Sequence, residues 1–220
     1  MAINLEKVTL EKQGDTHTIN LSKEGTTTSK EIIINLNWSQ GTNKGFLSSL
    51  LGMSKPIDLD LGCFYELRDG QRTVIDGLQF AKGEGGPKNI LTKQGRYTDY
   101  PWIWHKGDDR GSGAGSGENI LVNPAGIKGI KRIIIYTFIY EGAAKWTETN
   151  AVVSIKVAGN PEIVVEMGKQ NSQNKFCAIA EINIDNSSNI TVKKLVSFHV
   201  GHQECDNYYN WGMKWTAGTK

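Results

Sequence analysis

Apolar and polar residues alternate along most of this chain with the period of a strand rather than of a helix. In Ile32 to Trp38 the apolar set is Ile32, Ile34, Leu36 and Trp38. In Pro56 to Glu66, Ile57, Leu59, Leu61 and Cys63 alternate with Asp58, Asp60 and Gly62. Arg68-Asp69-Gly70-Gln71 then makes a turn, because Asp-Gly between apolar stretches is a hairpin signal, and Thr73 to Phe80 is the partner strand. Lys131 to Tyr140, K-R-I-I-I-Y-T-F-I-Y, does not alternate. A β-branched and aromatic run of that kind predicts a central strand buried on both faces, with Ile133, Ile134, Ile135 and Phe138 in the core. Further strands are predicted at Thr149 to Val157, Glu162 to Met167, Phe176 to Ile184 and Ile190 to Val200, with a brief bridge at Ile127 to Ile130. Turn-forming residues separate them, among them Gly159-Asn160-Pro161 and Asp185 to Asn189. No amphipathic helix of more than a few turns interrupts the series. The pattern predicts an all-β, two-sheet β-sandwich with under about 15% helix, against about a third in ordinary proteins. One domain spans residues 1–220, with an insertion at about 39–55 and an aromatic tail at about 203–220.

Composition narrows the picture. The chain has 220 residues, enough to bury a core without staples. Its 25 glycines against 5 prolines suit many turns between strands. A formal net charge of +2 supplies no strong field for nucleic acid. The start, M-A-I-N-L-E-K, lacks the apolar core of a signal peptide. The longest apolar run, near Ile133 to Ile139, is too short to span a bilayer, so no transmembrane segment is expected. Cys63, Cys177 and Cys205 are odd in number and form no C-x-x-C pair. Free thiols in a cytoplasmic protein are the simplest reading.

The candidate chemistry lies in two acidic stretches. Asp58 and Asp60 stand on one sheet face about 6–7 Å apart. Like charges at that spacing repel, and either bulk water or a cation relieves them. The second stretch, G-D-D-R-G-S-G-A-G-S-G-E from Gly107 to Glu118, holds Asp108, Asp109 and Glu118 around a glycine run. Calcium takes 6–8 oxygens from carboxylates, carbonyls and water at about 2.3–2.6 Å. Glycines let backbone carbonyls turn inward to supply some of them. The expectation is that the two stretches meet and bind Ca2+, with Glu141, Asn37 and Ser39 as further oxygen donors. The loop does not have EF-hand spacing, and G-E-G-G-P-K-N is no P-loop. H-V-G-H-Q-E-C, His199 to Cys205, is loosely spaced for a transition metal.

The same residues carry a family likeness. D-L-D-L-G-C-F-Y-E-L-R-D-G resembles the D-x-D-A-S-x-F-L segment of the TerD family, the tellurium-resistance and stress-response proteins of bacteria. The acidic loop resembles that family's G-D-[ND]-x-[TS]-G-x-G-x-G-[DS]-x-E element. K-R-I-I-I-Y-T-F-I-Y-E followed by T-N-A-V-V-S-I is similar to its strand, acid and N-A-F-I-R-V pattern, and N-L-N-W stands in the place of its G-L-G-W. The likeness runs from about Leu21 to about Val200. It implies a calcium-binding sandwich with cations held by acids at one end, and no established catalytic activity. It also implies a cytoplasmic protein, or one held at the inner membrane by partner proteins of a stress or metal-resistance complex. The chain departs from the family at Ser39, where Asp is common, and at Ser116 and Gly117, where paired acids are common. Fewer carboxylates imply weaker binding or one ion instead of two. The competing class is a calcium-assisted carbohydrate or small-ligand binder, which would share the sandwich, the calcium and the aromatic residues.

Overall fold

The computed structural model describes residues 6–21, 30–38, 57–77, 86–107, 117–167, 170–187 and 189–215. Among them the strands are β1 (Val8–Thr9), β2 (Thr16–Ile19), β3 (Ile32–Asn37), β4 (Asp58–Leu67), β5 (Arg72–Asp76), β6 (Gly95–Arg96) and β7 (Ile103–His105). Then come β8 (Glu118–Val122), β9 (Ile130–Glu141), β10 (Val152–Val157), β11 (Ile163–Glu166), β12 (Phe176–Ile184) and β13 (Ile190–His199). The α-helix of the described residues is α1 (His202–Tyr208), seven residues long. The strands form two sheets, ordered β1-β11-β10-β3-β8-β7-β6 and β2-β13-β12-β9-β4-β5. The fold is the all-β, two-sheet sandwich that the alternation predicts. Among the described residues no helix is long and apolar enough to cross a membrane.

The inner faces make the main core. Ile32, Ile34 and Leu36 of β3, Ile120 and Val122 of β8, and Val153 and Ile155 of β10 pack against Leu59, Leu61 and Cys63 of β4 and Ile133 and Ile135 of β9. β9 sits between β12 and β4 in the middle of its sheet. Ile133, Ile134 and Ile135 are buried, as is Phe138. The burial extends to the far side of the sheet. There Phe64, Ile134, Tyr136, Phe138 and Phe176 form a second core with Cys205 and Trp211. Helix α1 and the aromatic tail are thus a cover for the outer face of the six-stranded sheet. Residues 39–55, the expected insertion, lie outside the described residues.

Some boundaries differ from the expectation. The segment before β9 is a 3-10 turn, Pro124–Gly129, rather than a bridge, because Asn123 caps it by accepting from the Ala125 N–H and Pro124 starts it. β10 starts at Val152, since Trp146–Glu148 form another 3-10 turn that Thr149 ends. The Asp-Gly hairpin forms as predicted between β4 and β5, with Gly70 at φ +89°. β5 ends at Asp76, and residues 78–80 of its expected run lie outside the described residues.

Two polar devices pin the cover. The Asp206 carboxylate, itself buried, accepts from the N–H groups of Gly212 (2.6 Å) and Met213 (2.9 Å) and from Nε1 of Trp215 (2.6 Å). At the other side Glu66 accepts from Arg72 (3.2 Å), Lys131 (3.0 Å) and Arg132 (2.5 Å). Arg132 lies over the Trp211 ring, 4.0 Å from its centroid, and Arg72 donates to the carbonyls of Asn210 and Trp211. The sheet also makes room for its cover. Tyr136 lies across Gly62, its Cα partner on β4, where a Cβ would come 2.3 Å from the ring. The ring reaches on to β5 and donates its hydroxyl to Asp76 at 2.8 Å.

Gly62→Ala should therefore push Tyr136 off the sheet and destabilise the protein by about 1–3 kcal/mol in urea titration. A loss within error of zero would mean that the ring yields freely. Burial pulls the Glu66 carboxyl upward, but the hydrogen bonds from Lys131, Arg132 and Arg72 outweigh it and hold it down at about 2, from 4.5. A carboxylate depressed in the folded state adds stability above its unfolded pKa, and that stability is lost as pH falls through the folded one. Glu66→Gln should lower the melting temperature at neutral pH and melt with a shallower acid dependence than wild type between about pH 4.5 and pH 2. Parallel pH profiles for the two proteins would remove this role from Glu66.

Candidate functional site

The ends of five strands converge at one end of the sandwich. β3 ends at Asn37, β4 starts at Asp58, β7 ends at His105, β8 starts at Glu118 and β9 ends at Glu141. The pairing sets their heights: Leu36 faces Glu118, Ile120 faces His105, and Asp58 faces Glu141. The structure therefore brings Asn37, Asp58, Asp60, Glu118 and Glu141 to the same end. Ser39, Asp108 and Asp109 lie outside the described residues.

Within that end the side chains take different directions. Leu59 and Leu61 belong to the inter-sheet core, so Asp60 between them points to the outer face of its sheet, where its partner across the ladder is Phe138. Asp60 has no exposed surface. Asn37 follows the alternation of β3, in which Ile32, Ile34 and Leu36 are buried inward, and so stands on the outer face of the other sheet. Next to it on that face, the Asn35 amide donates to Asn119 at 3.1 Å, and Asn119 donates to the Gly117 carbonyl at 2.9 Å. These bonds brace the mouth of the glycine loop. Glu118 alternates with Asn119 and shares the inner face of Ile120 and Val122.

There Glu118 reaches across to the other sheet. Its Oε2 accepts the Leu61 N–H at 2.6 Å. His105 joins it from β7, with Nε2 3.1 Å from the Leu61 carbonyl and 3.4 Å from the same Glu118 oxygen. The N–H of Gly107 donates to Nδ1 of His105 at 3.1 Å. An N–H pointing at Nδ1 leaves the ring proton on Nε2, so His105 donates to the Leu61 carbonyl. The geometry has a simple cause. Among the described residues β5 stops at Asp76, opposite Gly62, one residue short of Leu61. Buried backbone groups need partners, and here the other sheet supplies both. Sequence reasoning passed over His105. The signal was its place two residues after Ile103, on the same apolar face.

Asp76 is a further acid on the outer face. Its Oδ2 accepts from Tyr136 and lies 3.0 Å from Nε2 of His202, whose ring packs among Tyr136, Phe138, Phe176 and Trp215. Burial, and then the Asp76 charge, push the Tyr136 hydroxyl well up. His199 instead meets Ser197 at 2.9 Å, and Ser197 meets the Tyr209 hydroxyl at 2.6 Å. Burial lowers the His199 pKa, against a smaller upward pull from Glu204. His199, His202 and Cys205 are thus spent on separate packing contacts. No group of three His, Cys, Asp or Glu side chains suited to a metal is found among the described residues. All three cysteines are free and buried, and burial raises each thiol. Trp211 and Trp146, which a sugar site would draw on, are buried in packing.

No family model matches the sequence. The chain is 35% identical over 219 residues to the tellurium-resistance protein TerA of an Alcaligenes species, a match covering 99% of this chain and 60% of that protein. The chain therefore spans about 60% of that relative's length. Its fold is shared with a crystal structure of a homologue of the telluride-resistance protein TerD from Streptomyces coelicolor A3(2), at a TM-score of 0.52 and 14% identity, over 80% of this chain and 94% of that one. A crystal structure of a protein of unknown function is similar at a TM-score of 0.52 and 12% identity, over 78% of this chain and 91% of that one. At those identities the structures speak for the fold, and the relative at 35% identity speaks for descent. The chain is thus similar in sequence to a tellurium-resistance protein, TerA, and carries the sandwich fold of a TerD homologue.

Proposed function

We propose that this chain is a non-enzymatic, calcium-binding module of a bacterial tellurium-resistance and stress-response system. Its acidic loop, ordered by calcium, would form a docking surface for other proteins of a cytoplasmic complex, in some settings at the inner membrane. One observation carries the reading. Four strand ends bearing Asn37, Asp58, Asp60, Glu118 and Glu141 share one end of the sandwich, and the glycine loop leaves from that end.

The acids at this end, Asp58, Asp60 and Glu141, offer oxygen donors, which suit a hard cation. Asp58 and Asp60 would supply carboxylates from the start of β4, which pairs with β9. The coordination would be completed by Asp108, Asp109 and Ser39. The bound ion would supply positive charge that offsets carboxylate repulsion. The chain's own part is to hold Asp58 and Asp60 on β4 and to bring the loop to them. Closure of the loop onto β4 then turns a local charge balance into a surface that a partner can read. Magnesium suits the site poorly, since it demands near-ideal octahedral geometry and gives up its water reluctantly.

Calcium should raise the melting temperature of chelator-treated protein. At a hundredfold excess over Kd the added stability is about 2.7 kcal/mol. Asp60→Asn and Asp109→Asn should each weaken the response. The double variant should lose less than the sum of the two, because one broken site cannot be broken twice. Melts of the four proteins in chelator, calcium or magnesium make the test. A wild type indifferent to millimolar calcium would overturn the reading. A response that persists in both single variants would put the ion elsewhere.

A further inference from the structure

We propose that residues 201–215, helix α1 with the aromatic tail, form a hinged lid that opens as one unit about Val200 and Gly201 while both sheets stay folded. The lid does not depend on calcium. It controls access to a different surface, the outer face of the six-stranded sheet.

The lid is tied to itself by backbone bonds and to the sheet by side chains. Within it, the N–H groups of Cys205, Tyr209 and Trp211 donate to the carbonyls of Gly201 (3.1 Å), Cys205 (3.0 Å) and Asp206 (3.0 Å). The Asp206 carboxylate joins helix to tail through Gly212, Met213 and Trp215. The Trp215 ring returns to within 5.2 Å of His202, so the two ends of the lid meet. Among the described residues no backbone hydrogen bond runs from 201–215 to a strand. Their polar ties to the sheet are made by Asp76 on His202, Ser197 on Tyr209 and Arg72 on the carbonyls of Asn210 and Trp211, with Arg132 over the Trp211 ring. Opening therefore breaks no ladder. Rupture inside the lid is the costlier route, because it strips donors from the buried Asp206 carboxylate. Departure of the whole lid leaves those bonds intact.

The hinge is placed for this motion. β13 ends at His199, so neither Val200 nor Gly201 belongs to a ladder. Val200 is 76% exposed, and its N–H donates to Glu204 of the lid. Gly201 is extended, with open space where a side chain would stand. β9 meanwhile keeps its pairing with β4 and β12, and the core between the sheets is untouched. Glu66 sets the clasp. It accepts from both Arg72 and Arg132, and so aims one guanidinium at the tail's carbonyls and the other at Trp211. Once open, the lid bares Phe64, Tyr136, Phe138 and Phe176. Elements that move are drawn from the least stable cooperative units of a fold, and a unit held without ladder bonds is of that kind.

The test is native-state amide exchange on the full chain across urea concentrations below the unfolding transition. The amides of Cys205, Tyr209, Trp211, Gly212 and Met213 should share one opening equilibrium and one urea dependence, and exchange at least about tenfold faster than the β9 amides. Tyr209→Phe removes the bond to Ser197 and should speed the lid amides about threefold to tenfold while β9 is unchanged. If Tyr209→Phe folds poorly, Arg72→Met releases the lid from its other side and carries the same arm. Lid amides that exchange only as slowly as β9 would overturn the proposal, since the lid would then open only in global unfolding. Separate rates that rise residue by residue toward Trp215 would overturn it too, because the tail would be fraying. A variant that speeds β9 as much as the lid would also count against it.

Discussion

The six-stranded sheet is apolar on both of its faces, and this requirement for double burial governs the rest of the molecule. A strand such as β9 places Ile133 and Ile135 on one side and Ile134, Tyr136 and Phe138 on the other. Leaving either set in water forfeits about 25 cal/mol for each Å² of apolar surface that could have been buried. The seven-stranded sheet covers one side. The other side falls to a segment too short to form a sheet, so α1 and the tail do the work with large rings. Phe64, Tyr136, Phe176 and Trp211 interlock at tilted angles, with Phe64 4.8 Å from Tyr136 and 5.8 Å from Trp211. A cover so small needs directional ties, which is why Asp206 gathers three donors and Glu66 gathers three cations, one of them the Arg132 that lies over Trp211.

The two ends of β4 are treated differently. At the Glu66 end the strand is paired on both sides, and the polar groups there secure the cover. At the Asp58 end the β9 ladder shifts register, and Glu118 and His105, buried side chains from the opposite sheet, bond to the backbone of Leu61. The strand is thus tied to the cover at one end and to the opposite sheet at the other.

How far the sequence could be read follows from the range of the interactions involved. Alternation and the unbroken K-R-I-I-I-Y-T-F-I-Y run are local, and they located β4, β9 and the burial of β9 on both faces. The Asp-Gly turn and the pairing of Asp58 with Asp60 on one face are local as well. The destination of the tail is not. Nothing in Y-Y-N-W-G-M-K-W says that Trp211 will meet Arg132 and Phe64, because those partners lie far away along the chain. Glu118 was legible in part. An acid closing a glycine loop reads as a ligand, yet E-N-I-L-V already puts it on the face of Ile120 and Val122. What the alternation could not supply was the reason for turning a carboxylate inward, since that lies in the backbone N–H of Leu61 on the opposite sheet.

The C-terminal cover also has a consequence for the order in which the molecule can be made. The ribosome releases β9 well before it releases α1 and Trp211, so during synthesis the outer face of β9 and β4 has no lid. A bare, β-branched and aromatic surface of that kind is the sort that pairs with other chains. The charged residues beside it, Lys131 and Arg132 at one end and Glu141 at the other, stand where gatekeepers are placed on unavoidable apolar strands. In the finished protein Arg132 turns the same charge to a second use, as the platform on which Trp211 of the lid comes to rest.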